Sequence, residues 1–301
     1  MVSPTFPDKF IDGRAIADAV LAQLGSELSK LPAGAPRPTV AFVRVGEDPA
    51  SIAYVGRKQR VAQELGFVSI LKVFPESITE AELIAQIQLL GEDPAIHGIL
   101  VQSPLPARID PISVYSAVPP HKDVDGFHPV NLGKLIYGDP SGFIPCTPLG
   151  LQELLKRSQI ETSGKHIVIL GRGLIVGKPA ALVFLQKQAW ANATVTVCHS
   201  ATTDLAKITA SADILIAAIG SPLMVGPTML KAGCVVIDVG INRVDDPTTA
   251  SGYRLVGDVD CEQVLPIVSR ITPVPGGVGP LTVAMLMRNS WKAYCTQTKF
   301  S

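Results

Sequence analysis

Residues 166–179 read HIVILGRGLIVGKP and are the strongest indication of how this chain folds. A short β-branched run, typical of a buried parallel strand, precedes a glycine-rich turn and an apolar helix predicted over 179–188. Gly171 allows the tight turn, and Gly173 lets the backbone approach a pyrophosphate at the helix N-terminus. The spacing Gly-x-Gly-x-x-x-Gly is one residue longer than the usual dinucleotide fingerprint. The stretch predicts a dinucleotide-binding turn, with a glycine-rich turn that binds no ligand as the alternative.

The next predicted strand, 194–198, indicates which dinucleotide the turn would bind. In NAD-binding units an acidic residue about 20 positions on binds the ribose 2′-hydroxyl. Here the strand is followed by His199 and Ser200, and Arg172 lies in the turn itself. A cation and a hydroxyl without a carboxylate suit a 2′-phosphate, so the sequence favours NADP. The alternative is that Arg172 is a surface residue in a polar loop.

The composition is that of a chain able to form a sizeable core. It has 301 residues, 47% hydrophobic and 17% charged, with a formal net charge of zero. One large domain or two ordinary ones are expected, and the charge offers no argument for nucleic acid or for an anionic membrane. Five scattered cysteines without a Cys-x-x-Cys pair favour reduced thiols in the cytoplasm. Neither a signal peptide nor an apolar run long enough to span a membrane is predicted.

Strands and helices alternate along most of the chain, which predicts parallel α/β sheets. The helix starts are marked by Asp48-Pro49, by a capping box at Thr79 and by 145–148. Strands are predicted over 39–45, 67–74, 97–102, 166–170, 194–198, 213–219 and 234–239, and helices over 13–31, 48–65, 79–90 and 281–295, with 271–280 as a loop. The last helix is expected to return to the N-terminal domain.

Tyr54 and Lys58 lie four residues apart on the predicted helix 48–65, within roughly 40° of each other on one face. Val61 and Leu65 continue that face, so Lys58 is a cation on an otherwise apolar stripe. A lysine there can lay its stem on the core and keep its amine in water. Alternatively, partial desolvation lowers its pKa so that it exchanges protons near neutral pH. In that case Tyr54 offers a flat face for a substrate ring.

Two further polar groups follow predicted strands. Gln102 ends the strand 97–102, and ligands bind at the carboxyl ends of parallel strands. Its amide would hold a lysine amine or a substrate, or would only stabilise a loop. Asp123 and Asp125 form an acidic turn whose carboxylate could accept two hydrogen bonds from an aminopyrimidine edge; otherwise it is an exposed turn. The rest of a calcium loop is missing, and the five histidines lack metal-ligand spacing, so no metal site is predicted.

Five motifs carry a resemblance to a known family. They are VGEDPAS at 45–51 with Tyr54 and Lys58, GILVQ at 98–102, KDVDG at 122–126, IDVGIN at 237–242 and TPVPGGVGP at 272–280. From about residue 8 to residue 295 the chain resembles the bifunctional methylenetetrahydrofolate dehydrogenase/methenyltetrahydrofolate cyclohydrolase family. The resemblance implies oxidation of methylene-tetrahydrofolate with NADP, then hydrolysis of the methenyl product to 10-formyl-tetrahydrofolate, within one-carbon metabolism and purine biosynthesis.

The same resemblance implies two α/β domains with a folate-binding cleft between them. An N-terminal three-layer catalytic domain would span 1–147 and be completed by the helix 281–298, and a Rossmann-like NADP-binding domain would span 148–280. The resemblance also implies a homodimer joined through the nucleotide domain.

Residue roles follow from the resemblance as well. Lys58 would be the catalytic lysine, Tyr54 the ring stacked on the folate, Gln102 the group that orients Lys58, and Asp125 the pterin anchor. The further substrate-binding positions would be Val101, Pro275, Gly276, Gly277 and Gly279, and the NADP contacts Gly171, Arg172, Gly173, Ser200 and Ile241. Three residues depart from the family pattern: Gly173 replaces a common Ser, Ser103 a usual Leu and Leu281 a usual Met.

Two other hypotheses remain at this point. Tyr-x-x-x-Lys is also the catalytic pair of short-chain dehydrogenases, but there the pair follows the glycine-rich turn, whereas Tyr54 and Lys58 precede it. A protein that binds NADP or folate without catalysis would keep the same fold. The combination of Lys58, Gln102 and Asp125 argues against that hypothesis.

Overall fold

A computed structural model describes residues 6–249 and 252–300 of the chain. By their contacts these residues form two compact units. We call 19–146 with 283–300 the lysine unit, and 6–18 with the described part of 147–282 the glycine-turn unit. No helix among the described residues is long and apolar enough to cross a membrane.

The lysine unit is built on a parallel sheet with strand order β2-β1-β3. Its central strand is buried along its whole length, as expected for a strand with a neighbour on each side and helices on its faces. In chain order the elements are α1 (Gly13–Leu28, which begins in the other unit), β1 (Thr39–Val45), α2 (Pro49–Glu64), β2 (Val68–Phe74), α3 (Glu80–Glu92), β3 (Gly98–Val101), α4 (Pro111–Ala117) and α5 (Pro129–Tyr137).

The glycine-turn unit contains a five-stranded parallel sheet with order β10-β7-β6-β4-β5 and a two-stranded antiparallel hairpin. Its elements are α6 (Cys146–Arg157), β4 (His166–Leu170), α7 (Gly177–Leu185), β5 (Thr194–Cys198), α8 (Leu205–Thr209), β6 (Ile214–Ala217), β7 (Val235–Asp238), β8 (Asn242–Asp245), β9 (Tyr253–Val256), α9 (Cys261–Val264), β10 (Arg270–Ile271) and α10 (Val278–Thr298, which continues into the lysine unit). The two sheets confirm the predicted parallel α/β class.

Every predicted strand is present, but the stretches 103–139 and 271–280 differ from the prediction. The region 103–139, to which no element was assigned, contains α4 and α5; each begins with a capping residue and a proline, Asp110-Pro111 and His128-Pro129. The stretch 271–280 is not entirely a loop. Ile271 pairs with Val236 of β7, and α10 already begins at Val278. Pro280 fits in the first turn of this helix, because a proline there loses no hydrogen bond.

The first and last described segments of the chain belong to different units. Ile11 N–H donates to the Ile271 carbonyl at 2.8 Å, and the Lys9 amine donates to the Leu265 carbonyl at 2.8 Å. These contacts place residues 6–18 in the glycine-turn unit, whereas the predicted division placed them in the N-terminal domain. The end of α10 lies in the lysine unit, where Arg288 pairs with Glu27 at 2.6 Å. The functional boundaries near 147 and 280 stay a prediction.

Candidate active site

Helix α2 places Lys58 inside the lysine unit. Asp48 caps the helix by accepting a hydrogen bond from Ser51 N–H at 2.7 Å, and Pro49 follows at the first position. The buried face runs through Ser51, Val55, Lys58 and Ala62, whereas Tyr54, Val61 and Leu65, on the predicted stripe, are only half-buried. Lys58 is 4% exposed, so the interpretation of an amine held in water is wrong.

The Lys58 amine lies between an amide, an aromatic ring and two acidic groups. It donates to Gln102 Oε1 at 3.0 Å and lies 4.4 Å from the centroid of the Tyr54 ring. Burial lowers the pKa of Lys58, and negative charge on Asp125 or Cys146 opposes that shift. A lysine with a lowered pKa exchanges protons more readily at neutral pH than an exposed one.

Gln102 is held at both ends of its amide. It follows β3 directly, and its backbone N–H donates to the Val43 carbonyl at 2.8 Å. Its Oε1 accepts from Lys58, while its Nε2 donates to the carbonyl of Ser103. The side chain therefore presents its oxygen to the Lys58 ammonium. Val101, the last residue of β3, is buried.

The structure separates the two aspartates of the acidic turn. Asp123 is buried and accepts four hydrogen bonds. The donors are the N–H groups of Gly126, Phe127 and His128 and the Asn131 amide, at 2.8–3.2 Å. Asp125 is half-buried; burial raises its pKa, and the charge of Lys58 opposes this rise. Asp123 holds the turn, whereas Asp125 interacts with Lys58.

Cys146 is a residue that sequence reasoning missed. Its thiol is buried and donates to the Val124 carbonyl at 3.4 Å, and the Asn289 amide lies 3.7 Å from its sulfur. Burial raises the pKa of this thiol well above its ordinary value, and negative charge on Asp125 raises it further. In the sequence Cys146 marks only a helix start, and nothing local distinguishes it from an ordinary core cysteine.

The glycine-rich turn is as tight as its sequence requires. Gly171 has φ +112°, and a Cβ there would lie 2.2 Å from the Ala218 carbonyl oxygen. A Cβ on Gly177 would lie 2.1 Å from the Gly171 carbonyl oxygen, whereas the space around Gly173 is open. Helix α7 begins at Gly177, two residues before the predicted start, and no side chain caps it. The Lys178 N–H donates to the Gly173 carbonyl at 3.1 Å and Pro179 has no N–H, so the positive end of the helix dipole, and not a set of free N–H groups, would attract an anion here.

The predicted 2′-phosphate residues lie in matching positions on neighbouring strands. Leu170 and Cys198 are paired in the parallel register of β4 and β5. Arg172 and Ser200 each follow their strand by two residues, and both are exposed. The open space at Gly173, the uncapped helix and an exposed guanidinium fit a dinucleotide phosphate group.

The loop 272–279 lies beside the segment that follows β7. Asp238 N–H donates to Thr272 Oγ1 at 2.8 Å, which ties the loop to the end of that strand. A Cβ on Gly277 would lie 2.6 Å from the Pro273 carbonyl oxygen, and one on Gly279 would lie 3.6 Å from Ile241 Cδ1. The structure therefore brings Gly279 close to Ile241 within the glycine-turn unit, and the predicted residues Pro275, Gly276 and Gly277 belong to the same loop.

Two buried aspartates that the sequence did not single out hold these loops. Asp258 accepts four hydrogen bonds of 2.7–3.1 Å, from the N–H groups of Ile219, Gly220 and Ser221 and from the Asn242 amide. Asp238 accepts from the N–H groups of Gly240, Asp258 and Val259 at 2.9–3.0 Å. The Asp258 carboxylate thus fixes the loop after β6, and the Asp238 carboxylate fixes the segment after β7.

Asp238 is expected to make folding stability depend on pH. Burial raises its pKa to about 6, whereas the unfolded chain has the ordinary value of 3.8. The folded state therefore binds the proton more tightly, and the free energy of unfolding rises as pH falls through 6. As pH falls from about 7 to about 5, Asp238 should add about 1 kcal/mol to the free energy of unfolding. Because other groups cancel in the comparison, denaturation of wild type and Asp238→Asn at both pH values measures it; parallel pH profiles would contradict the assignment.

Fold and site together define a two-domain α/β enzyme with a catalytic and an NAD(P)-binding part. Residues 11–125 match the family model described as the tetrahydrofolate dehydrogenase/cyclohydrolase catalytic domain, and residues 145–298 match its NAD(P)-binding domain. The chain belongs to the tetrahydrofolate dehydrogenase/cyclohydrolase family. It is a bifunctional enzyme with dehydrogenase and cyclohydrolase activities.

Individual relatives agree with this assignment. The chain is 55% identical over 258 residues to a bifunctional protein FolD of Chlorobium phaeovibrioides, covering 85% of this chain and 88% of the relative. A Campylobacter jejuni FolD crystal structure is 43% identical with a TM-score of 0.89, covering 95% and 98% of the two chains. A Trypanosoma brucei enzyme, solved with NADP and an inhibitor, is 39% identical with a TM-score of 0.90, covering 97% and 98%.

Proposed function

We propose that this enzyme oxidises 5,10-methylene-tetrahydrofolate with NADP⁺ and hydrolyses the resulting methenyl cation to 10-formyl-tetrahydrofolate, with Lys58 transferring the protons of the second step. The observation that carries the assignment is the buried Lys58 amine, 3.0 Å from Gln102 Oε1 and close to the Tyr54 ring.

The glycine-turn unit holds NADP. The turn at Gly171 and Gly173 before α7 would hold the NADP phosphates, and Arg172 and Ser200 would bind the 2′-phosphate. When bound, NADP⁺ supplies the hydride acceptor. Ile241 and the loop 275–279 would hold the nicotinamide end. These groups bind and orient, because a hydride carries its electron pair from the methylene carbon and leaves no proton on the protein.

The lysine unit holds the folate and performs the hydrolysis. Water adds to the methenyl carbon, and Lys58 in its neutral form takes a proton from it. The resulting ammonium returns a proton to the ring nitrogen as the carbon–nitrogen bond breaks, and the hydroxyl proton leaves as the formyl group forms. The lowered pKa of Lys58 favours this exchange.

Three neighbours give Lys58 its position and the folate its orientation. Gln102 accepts from the ammonium, and Tyr54 stacks on the folate ring. Asp125 accepts hydrogen bonds from the pterin edge, since Asp123 is already occupied by four donors. Val101 contributes backbone at the end of β3.

An absorbance assay tests the proposal. The purified chain with methylene-tetrahydrofolate and NADP⁺ should produce NADPH and transient methenyl-folate, which then decays to 10-formyl-tetrahydrofolate. Binding of NADP⁺ and folate without either absorbance change would instead favour a non-catalytic sensor. NADPH formation without decay of methenyl-folate above the uncatalysed rate would remove the cyclohydrolase activity from the proposal.

We also propose where the enzyme acts and how it assembles. It acts in the cytoplasm as a homodimer joined through the glycine-turn unit. The five cysteines form no disulfide within the described residues, which suits a reducing compartment. Strand β5 ends the order of the five-stranded sheet and offers an edge for a second copy. Sedimentation velocity that found only monomer at working concentrations would contradict the dimer.

A further inference from the structure

A path of hydrogen bonds leads from Lys58 to helix α4. The proposed mechanism does not use this path. The Lys58 amine donates to Gln102 Oε1, and Gln102 Nε2 donates to the Ser103 carbonyl. The hydroxyls of Ser103 and Tyr115 hydrogen-bond each other. We propose that the Ser103–Tyr115 hydroxyl pair is a positioning device that fixes which end of the Gln102 amide faces Lys58. The proposal rests on the proposed role of Lys58.

The orientation of the Gln102 amide matters because its two ends are opposite in character. With Oε1 toward Lys58, an acceptor faces an ammonium group. If the amide were flipped, the two N–H donors of Gln102 Nε2 would face the three N–H donors of the Lys58 ammonium. The carbonyl of Ser103 decides between these states, since it accepts from Nε2 only in the observed orientation. Whatever holds that carbonyl in place therefore holds the acceptor against Lys58.

Tyr115 is a firm anchor for Ser103. It is 6% exposed, and its ring packs on Phe127 with centroids 5.2 Å apart. Burial raises the pKa of Tyr115, so its hydroxyl stays protonated and able to donate. Helix α4, which carries it, is capped by Asp110, whose own N–H donates to Glu80 of α3 at 2.7 Å. Ser103 is thus tied by its hydroxyl to a buried ring on a capped helix.

Loss of the hydroxyl pair should change the proton-exchange properties of Lys58. An acceptor facing the ammonium stabilises its charged form, so an amide that no longer faces it lowers the pKa of Lys58 further. Asp125 is the charged group that acts on Lys58, because the raised pKa of Cys146 keeps that thiol neutral, and neither residue is altered by the substitutions below. In the plot of cyclohydrolase rate against pH, the limb that reports the titration of Lys58 should therefore move to lower pH.

The test uses Tyr115→Phe, Ser103→Ala and the double variant. Each single change should lower cyclohydrolase kcat by about 3- to 10-fold, as expected for one hydrogen bond, with KM for methenyl-folate little changed. The double variant should be no slower than the slower single variant, because both remove one interaction. Gln102→Ala sets the largest loss that the path can produce. Matched controls are Tyr137→Phe, at a tyrosine that is 90% exposed, and Ser116→Ala, on the exposed side of α4.

Three outcomes separate the possibilities. Unchanged kcat and an unshifted pH limb in both single variants would overturn the positioning role. A lower melting temperature with an unshifted limb would show that the pair only stabilises the loop, which also overturns it. Full cyclohydrolase activity in Lys58→Gln would instead overturn the proposed function, whatever the Ser103 and Tyr115 variants do.

Discussion

Replacing Lys58 by glutamine is expected to lower cyclohydrolase activity by about 10²- to 10⁴-fold while dehydrogenase activity stays measurable. Glutamine keeps much of the length and a hydrogen-bonding end, but it cannot exchange protons. Hydride transfer needs position and orientation only, whereas hydrolysis must deprotonate water and protonate a ring nitrogen. Methenyl-folate should therefore accumulate, and its absorbance measures the effect directly.

The matched control for this substitution is Lys72→Gln, which removes a lysine from the exposed strand β2. It should leave both activities at the wild-type level. An equal loss of both activities in Lys58→Gln would mean that the lysine binds substrate or supports the fold. No loss of either would move the catalytic assignment to another residue.

Replacing Arg172 by alanine is expected to weaken NADP⁺ binding by roughly 10- to 150-fold and to leave NAD⁺ binding nearly unchanged. A charge-assisted hydrogen bond contributes about 1.5–3 kcal/mol, which gives this range. The exposed guanidinium follows β4 by two residues, as Ser200 follows the paired strand β5. Only the 2′-phosphate distinguishes the two cofactors, so the ratio of their dissociation constants is the measurement.

Lys165→Ala is the control for general charge, because this exposed lysine precedes β4 at the opposite end of the strand. It should change neither dissociation constant appreciably. If Arg172→Ala weakened NADP⁺ and NAD⁺ binding equally, the residue would shape the turn and not recognise the phosphate. In that case the preference for NADP would have to come from Ser200 or from backbone groups.

Opposing electrostatic effects act on the pKa of the buried Lys58. Burial alone favours the neutral amine, and negative charge on Asp125 or Cys146 favours the ammonium. The same burial favours the neutral carboxyl of Asp125, against the charge of Lys58. The two groups thus limit each other's pKa shifts.

Local patterns predicted the backbone well. The strand 166–170, the glycine turn and the caps at Asp48 and Thr79 appear as predicted, because backbone hydrogen bonding and capping depend on neighbouring residues. The helices α4 and α5 were missed although their cap-and-proline starts are local signals. The hairpin β8–β9 was missed as well.

The sequence by itself determined the parallel α/β units, the glycine turn and, through five motifs, the family. Only the tertiary structure decided that Lys58 is buried, that Asp123 holds the turn while Asp125 acts on Lys58, and that Cys146, Tyr115 and Asp258 support these sites. The physical reason is distance along the chain. Lys58 meets Gln102 across 44 positions and Asp258 meets Ile219 across 39, and such partners are set by packing and not by local pattern.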